Sequence, residues 1–318
     1  MSSGRPPRRW YDVELVSGKR VTFIGEGMFE LAVRPAGGWE LGHGGDTLNT
    51  ALHMARMGLN VAFASALGGD AFSDGLRKAW TEEGLDLSMV LCDPSRSTGL
   101  YAISVDEAGE RSFTYWRSNS AARQMFALPD SRKIIECAVQ SDLLVFSLIS
   151  LAILPRRGRD ALIALAHEVR ELGGMVAFDG NYRPRLWQSP TEALSVRDAA
   201  IATATIGLPT LEDEIALSSG VTAESVASHW LALGCREVIV KLGKAGCRMP
   251  DGSIVTPGIA LDPVDTSGAG DAFNAGYLAA RLRGCSGVDA AQQGHALAGW
   301  TIMRRGAIPP RDAHAPYA

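Results

Sequence analysis

The chain has 318 residues, of which 46% are hydrophobic and 21% charged, and its formal net charge is −4. This length allows one large domain or two modest ones with a substantial core, and the mild negative charge argues against nucleic acid or an acidic membrane surface as the main partner. The five cysteines are scattered and form no metal-binding spacing, so we expect no disulfide framework, no structural zinc site and a reducing, cytoplasmic setting.

The sequence predicts neither a signal peptide nor a membrane-spanning segment. Residues 1–19 contain several arginines but no apolar run, so they predict a loose extension rather than a signal peptide. The longest apolar stretch, residues 143–154, is too short to cross a bilayer. We therefore expect no membrane partner, and a single domain from residue 20 to residue 318.

From residue 20 onward, short β-branched runs alternate with amphipathic helical patterns. Apolar residues recur at helical spacing within residues 48–55 and 162–169, and Gly58 and Gly84 stand where helices should end. This alternation predicts an α/β fold with a mostly parallel central sheet between helical layers. The runs that predict buried strands are Arg20–Gly25, Asn60–Ala66, Asp142–Ser147, Gly174–Asp179, Ala200–Ile206 and Glu237–Leu242.

One segment breaks this rhythm. Two strand-like runs, Thr98–Val105 and Arg111–Arg117, are joined by turn-forming residues with no helix between them. They predict an antiparallel hairpin in a separate small sheet. The strand period places Phe113, Tyr115 and Arg117 on one face, which suits either the cover of a polar ligand or an ordinary edge hairpin with exposed aromatics.

The segment Asp265–Asp271 reads Asp-Thr-Ser-Gly-Ala-Gly-Asp and precedes a helical pattern. Its small residues let backbone N–H groups approach a ligand, and the start of a helix favours negative charge, so the segment predicts an anion cradle. Asp271 could accept the proton of an attacking hydroxyl while the N–H groups of Gly268, Ala269 and Gly270 stabilise a transferring phosphoryl group. The plainer alternative is a helix-start carboxylate after a glycine turn.

Other nucleotide motifs are weak or missing. No Gly-x-x-x-x-Gly-Lys-Ser/Thr pattern occurs, which argues against a P-loop enzyme. Gly25 and Gly27 begin a dinucleotide-like fingerprint after a strand, but Glu30 occupies the place of the third glycine. A nicotinamide oxidoreductase therefore stays a weaker alternative.

Two distant motifs together resemble one family. Asp265–Phe273 is similar to the C-terminal signature of the ribokinase-like (PfkB) sugar kinases, Gly44–Ala51 to their N-terminal glycine motif, and Gly68–Asp70 to the turn that follows it. The resemblance extends from about residue 20 to about residue 311. It implies a three-layer α/β/α kinase with ATP and Mg²⁺ as cofactors, and it leaves activation by a monovalent cation open.

Within that family the chain looks most like the 2-keto-3-deoxygluconate kinases. This implies transfer of the ATP γ-phosphoryl group to the terminal hydroxyl of a keto-deoxy sugar acid, under a β lid built from about residues 27–45 and 96–118. The segments that carry the likeness are Gly45–Thr50, Gly99–Tyr101, Tyr115–Arg117, Ile149–Leu154, Asn181–Trp187 and Arg305–Pro309.

Site residues are carried over by position. Arg117 and Arg183 are the arginines best placed to neutralise a sugar carboxylate, although a solvated strand end and a structural salt bridge are the respective alternatives. The residues implied for substrate binding are Gly45, Asn49, Tyr101, Tyr115, Arg117, Arg183 and Asp271. The residues implied for ATP binding are Asn181, Arg183, Thr210, Lys241, Gly243, Gly246, Gly268, Ala269 and Gly270.

The chain departs from the family pattern at two places. An Asn-x-x-Glu associated with the metal appears here as Thr210–Asp213, so metal contact through water by Glu212 or Asp213 is the remaining expectation. Leu148 stands where a small residue is usual, and could tighten the pocket or repack the core. A kinase for a neutral sugar or an epimeric sugar acid, and a catalytically silent sugar-binding protein, remain alternatives, and the lid could pair with that of a second copy.

Overall fold

The structure is a computed structural model that describes residues 18–33, 37–105 and 111–317. The N-terminal extension up to residue 17 and the predicted turn at Asp106–Gly109 lie outside the described residues. The strands are β1 (Arg20–Ile24), β2 (Met28–Val33), β3 (Trp39–Gly44), β4 (Asn60–Gly68), β5 (Asp86–Asp93), β6 (Leu100–Val105), β7 (Arg111–Trp116), β8 (Leu143–Ser147), β9 (Met175–Asp179), β10 (Ile206–Gly207), β11 (Glu237–Val238), β12 (Val240–Lys241), β13 (Cys247–Arg248) and β14 (Ile254–Val255). The α-helices are α1 (Asp46–Arg56), α2 (Ala71–Glu82), α3 (Ser131–Ala138), α4 (Leu148–Ile153), α5 (Arg156–Glu171), α6 (Pro190–Ile201), α7 (Leu211–Leu217), α8 (Ala223–Ala232), α9 (Ala269–Leu282) and α10 (Gly287–Ile302).

The central sheet has seven strands in the order β11-β10-β9-β8-β1-β4-β5, and every pair is parallel. Its middle strands are almost wholly buried because helices cover both faces. One hydrophobic cluster packs α1, α2, α9 and α10 against one face, and another packs α3–α6 and α8 against the other. The predicted three-layer α/β/α fold is confirmed.

Two strand predictions need correction. The run Ala200–Ile206 is not one strand, because Ala200 and Ile201 are the last residues of α6 and only Ile206–Gly207 pairs in the sheet. A short apolar run has the same composition in a buried helix end as in a buried strand, so the pattern could not separate them. The edge strand β5 was not predicted, since its exposed positions and polar residues weaken the apolar signal.

A second sheet of four strands, in the order β3-β2-β6-β7, forms the lid. The predicted hairpin is confirmed, with β6 and β7 antiparallel and Tyr101 opposite Tyr115. β2 and β3 are also antiparallel, whereas β2 and β6 run parallel. The chain enters this sheet directly after β1 and again after β5, so the lid is attached at the carboxyl edge of the central sheet.

The last predicted strand, Glu237–Leu242, is divided between two sheets. β11 closes one edge of the central sheet, and β12 begins a three-stranded antiparallel sheet with β13 and β14. Among the helices of the described ranges, none is both long enough and apolar enough to cross a membrane.

Candidate active site

The start of α9 has the geometry of an anion cradle. Gly268 caps this helix with a φ of 71°, and a Cβ at this position would lie 2.6 Å from the Cβ of Ala307. Only glycine satisfies both the left-handed backbone and this close approach. The N–H groups of Ala269, Gly270 and Asp271 belong to the first turn, where donors have no intrahelical carbonyl to bind and the helix dipole favours an anion.

The cradle is fixed to the C-terminal segment by Asp265. Its carboxylate accepts hydrogen bonds from the backbone N–H of Ser267 at 2.8 Å and of Gly306 at 2.7 Å. A ring nitrogen of the fully buried His53 lies 3.1 Å from the carbonyl oxygen of Ala307, which connects the same segment to α1. Asp265 therefore ties the cradle to residues 306–307.

Asp271 is tied to α1. The side-chain amide of Asn49 donates to Oδ2 of Asp271 at 2.9 Å, and the hydroxyl of Thr50 donates to its backbone carbonyl at 3.2 Å. Burial raises the pKa of Asp271 to about 8, with the charge of Asp46 acting in the same direction and the Asn49 hydrogen bond acting against it. A carboxylate of raised pKa is a stronger base than an ordinary aspartate.

A buried polar triad lies beneath the cradle. The Lys241 ammonium donates to Oδ1 of Asp179 at 3.0 Å and to Oδ1 of Asn274 at 3.1 Å, and Asn274 donates to Oδ2 of Asp179 at 2.9 Å. A Cβ on Gly270 would lie 3.8 Å from the Lys241 nitrogen. Lys241 therefore adds fixed positive charge beside the N–H groups of the cradle, in a region of low dielectric.

Asp46 lies close to Asp271, although sequence reasoning did not single it out. Asn181 donates from its side-chain amide to Oδ2 of Asp46 at 3.3 Å. Burial raises the pKa of Asp46, the hydroxyl of Ser147 lowers it, and the charge of Asp179 raises it further. A usable signal was present, since Asp46, Asn49 and Thr50 at i, i+3 and i+4 must share one face of a helix.

The lid presents aromatic side chains to the site. The rings of Tyr101 and Tyr115 are 5.8 Å apart, and those of Phe113 and Tyr115 are stacked at 6.3 Å, so the predicted shared face is confirmed. The hydroxyl of buried Tyr101 donates to the carboxylate of Glu30, and burial raises its pKa, to which the charge of Asp271 also contributes. The tyrosines of the lid thus sit within electrostatic range of the cradle.

Arg117 is not a solvated strand end. Its side chain is 9% exposed and forms an ion pair with Glu26, which is itself buried, and its guanidinium lies 5.7 Å from the ring centre of Tyr115. Its Nε has no hydrogen-bond partner among the described residues. The guanidinium thus keeps donor capacity beyond the Glu26 pair. Glu26 escaped the sequence reasoning because its segment was considered only as a dinucleotide turn.

Arg183 and Asp213 form an ion pair with each other in this structure. Nη1 of Arg183 donates to Oδ1 of Asp213 at 3.1 Å and to the carbonyl of Tyr182 at 2.6 Å, while the Arg183 side chain is 49% exposed. Burial raises the pKa of Asp213, and the Arg183 charge lowers it. The salt-bridge alternative for Arg183 is therefore confirmed, in a partly solvated ion pair.

The remaining residues predicted to bind ATP lie on or after β10 and β12. Thr210 caps α7 and forms an isolated parallel bridge with Lys241. Gly243 begins a short 3-10 helix and is exposed, whereas Gly246 is buried and a Cβ there would meet the carbonyl oxygen of Val255 at 2.2 Å. Packing alone therefore requires glycine at this position, and a contact of Gly246 with ATP stays a prediction.

The structure bears on two alternatives that the sequence left open, a dinucleotide-binding turn at Gly25 and Gly27 and the role of Leu148. Gly25 and Gly27 lead into strand β2 rather than a helix, and side chains there would strike Thr47 and Trp80, so the dinucleotide-turn hypothesis is wrong. Leu148 is fully buried in the core cluster, which favours core packing over a role in the pocket. Within residues 18–33, 37–105 and 111–317, no three His, Cys, Asp or Glu side chains are grouped to hold a metal ion.

Comparison with known proteins identifies the family of the chain. The model of the pfkB family carbohydrate kinases matches residues 20–314, and the chain belongs to this family of sugar kinases. It is 41% identical to the 2-dehydro-3-deoxygluconokinase of Escherichia coli (strain K12) over 93% of this chain and 98% of that protein. It is 31% identical to a fructokinase of Salmonella typhimurium, over 82% and 83% of the two chains. A crystal structure of a PfkB protein from Polaromonas sp. JS666 matches with a TM-score of 0.77 and 29% identity, over 88% and 94%.

Proposed function

We propose that the protein transfers the γ-phosphoryl group of ATP to the terminal hydroxyl of 2-dehydro-3-deoxygluconate, also called 2-keto-3-deoxygluconate, to give the 6-phosphate. The observation that carries the proposal is a site of two unlike ends, with the Asp271 carboxylate at the cradle and the Arg117 guanidinium under the lid. A sugar acid has matching ends, a hydroxyl and a carboxylate. The name of the relative that is 41% identical supports the same substrate.

In the reaction, Asp271 acts as the general base. Its carboxylate takes the proton of the terminal hydroxyl, the sugar oxygen forms a bond to the γ-phosphorus, and the bond from that phosphorus to the bridging oxygen breaks, releasing ADP. The N–H groups of Gly268, Ala269 and Gly270, with the ammonium of Lys241 beside them, stabilise the charge on the transferring group. Asn49 holds Asp271 in position for the proton transfer.

The lid side recognises the sugar acid. Gly45 lies at the start of α1, where we place the sugar, and packing requires glycine there because a Cβ would lie 2.2 Å from the carbonyl oxygen of Glu26. Tyr101 and Tyr115 cover the substrate and exclude water, which would otherwise accept the phosphoryl group. Arg117 and Arg183 bind the carboxylate by charge-assisted hydrogen bonds.

ATP binds along the carboxyl edge of the sheet. We place the nucleotide on the loops after β9, β10 and β12, which carry Asn181, Thr210, Gly243 and Gly246, and beside Lys241, the last residue of β12. Mg²⁺ suits Asp213, since a partly buried carboxylate beside phosphates is the type of ligand that this ion uses, here through water. When bound, the ion neutralises charge on the β- and γ-phosphates. Ligand binding would release Arg183 from Asp213.

A kinase for a neutral sugar is the second candidate. It is favoured by the Glu26 ion pair, which already satisfies part of the Arg117 charge, and by the 31% identity to a fructokinase. An assay of ADP release over keto-deoxy sugar acids, fructose and ribose separates the two candidates. We expect kcat/KM for 2-dehydro-3-deoxygluconate to exceed that for either neutral sugar by about a hundredfold, because the carboxylate adds two charge-assisted contacts. A preference for a neutral sugar would contradict the proposal.

The proposal also covers the cellular location and the oligomeric state of the protein. All five cysteines are free thiols, which supports a cytoplasmic location. The face of the lid turned away from the site exposes Trp39, Leu41 and Trp116, and an apolar surface of this kind supports pairing with the lid of a second copy. Sedimentation equilibrium should then show a dimer that Leu41→Glu dissociates; a monomeric wild type would contradict this assembly.

Assays in potassium and in lithium salts test activation by a monovalent cation.

A further inference from the structure

Residues 306–317 follow α10 and pack back onto the core; we call them the strap. The ring of Tyr317 lies 5.5 Å from that of Trp300 on α10 and 5.9 Å from that of His53 on α1. The strap begins within Arg305–Pro309, one of the segments that carry the sequence resemblance. None of its residues has a place in the proposed binding of substrate or ATP, so a role for the strap has to come from its other contacts.

A directed chain of hydrogen bonds joins the strap to α1. Nε2 of His53 lies 3.1 Å from the carbonyl oxygen of Ala307, and Nδ1 of His53 lies 2.9 Å from the hydroxyl oxygen of Tyr317. A carbonyl oxygen can only accept, so Nε2 carries the ring proton and Nδ1 accepts from the Tyr317 hydroxyl. Burial lowers the pKa of His53 to about 3, and the charge of Arg56 acts in the same direction, so the ring is neutral near neutral pH.

The chain of hydrogen bonds starts at Arg56, the last residue of α1. Its Nη1 donates to the hydroxyl oxygen of Tyr317 at 3.2 Å and to the carbonyl oxygen of Pro309 at 2.7 Å. Its Nε and Nη2 donate to the carboxylate of Glu83, just after α2, at 2.8 and 2.6 Å. The buried guanidinium is therefore fixed by Glu83 and in turn holds the strap at two points.

The strap also touches the cradle. A Cβ at Gly268 would lie 2.6 Å from the Cβ of Ala307, so nothing separates these two residues. The N–H groups of the cradle follow Gly268 directly in the chain. Because protein interiors are close-packed and transmit strain, a displacement of Ala307 by a fraction of an ångström is passed on to the start of α9.

We propose that Tyr317 is a positioning residue for phosphoryl transfer, acting through His53 and Ala307 on the N–H groups of the cradle. The inference rests on the proposed function, because it needs the cradle to stabilise the transferring group. Preorganised donors stabilise a transition state because they are already in place, and a small displacement weakens them. Loss of the Tyr317 hydroxyl should therefore lower kcat and leave KM for the sugar unchanged.

The test is Tyr317→Phe, measured by steady-state ADP release at saturating ATP. The variant keeps the ring against Trp300 and removes only the hydroxyl that accepts from Arg56 and donates to His53. We expect kcat to fall by about three- to tenfold, with KM for 2-dehydro-3-deoxygluconate within about twofold of the wild type, since hydrogen bonds are lost away from the substrate.

Tyr277→Phe is the matched control. Tyr277 lies about two turns into α9, the helix that starts at the cradle, and its buried hydroxyl donates to Glu237. This variant should lose stability but keep its kcat. A kcat that is unchanged in Tyr317→Phe, or that falls equally in both variants, would overturn the role of Tyr317, and so would a rise in KM alone.

A double variant separates this inference from the proposed function. If the strap acts through the cradle, Gly268→Ala already displaces the N–H groups, and adding Tyr317→Phe should lower kcat by less than about twofold more. Full additivity would overturn the route through Ala307. A loss of kcat in Gly268→Ala but not in Tyr317→Phe would contradict the strap alone, whereas no loss in either would contradict the proposed role of the cradle as well. If the wild type prefers another sugar, the substrate proposal fails, and the same comparison is made with that sugar.

Discussion

The cradle end of the site and the lid end differ in how their polar groups are held. At the cradle, Asp271 is fixed by Asn49, and Lys241 by Asp179 and Asn274, all on helices and strands of the packed core. At the lid, Arg117 is fixed by a single buried carboxylate beneath an otherwise exposed sheet. Under the proposed function, this difference corresponds to a division of labour, in which the packed core holds the reacting groups and the lid selects the substrate.

Arg117 tests the lid half of this comparison, and the expected effect is larger than that of the core test that follows. Arg117→Ala should raise KM for the sugar acid by about a hundredfold, since charge-assisted hydrogen bonds to the carboxylate are lost, and should leave kcat within about threefold. Steady-state kinetics against both the sugar acid and fructose would measure it.

The alanine variant also leaves Glu26 buried without its partner, which can destabilise the fold. Arg117→Lys is therefore the matched control, because it keeps a positive charge for Glu26 but loses the planar fork that binds a carboxylate. It should fold normally and still raise KM by about tenfold. An equal loss for the acid and for fructose would show that Arg117 does not select the carboxylate.

Gly268 tests the core half of the comparison. Gly268→Ala forces a side chain into a left-handed backbone and against Ala307, so the N–H groups of the cradle should shift and kcat should fall by about tenfold or more. Gly284→Ala is the control, because Gly284 has a similar φ of 83° with open space around it and lies just beyond the far end of α9. The control should lose stability but keep its kcat; equal kcat losses would remove the special role of the cradle.

These contrasts also explain what the sequence could predict. The strand–helix alternation and the glycine motifs were enough for the fold and for the position of Asp271 at a helix start, because local patterns determine both. Asp46 and Glu26 escaped because their contacts are with Asn181 and Arg117, which are distant in sequence and meet them only in the folded chain. The end of α6 was mistaken for a strand because burial hides periodicity in a short run.

The raised pKa of Asp271 gives the smallest expected effect, on stability. Its folded pKa of about 8 lies above the ordinary value of 3.8, so the folded state binds more protons than the unfolded state between these limits. Stability from this group is therefore present at low pH and is lost as pH rises toward 8. Asp271→Asn should raise Tm over wild type by a few degrees at pH 8, and by less at pH 5. A Tm difference independent of pH would contradict the shift.

The most direct test of the account is the turnover of Asp271→Asn with ATP and 2-dehydro-3-deoxygluconate at saturating concentrations. We predict that kcat falls by about 10²–10⁴ while the thermal shift caused by ATP is retained, because the variant loses the base but keeps the cradle. A kcat near that of the wild type would contradict the central claim that Asp271 is the general base.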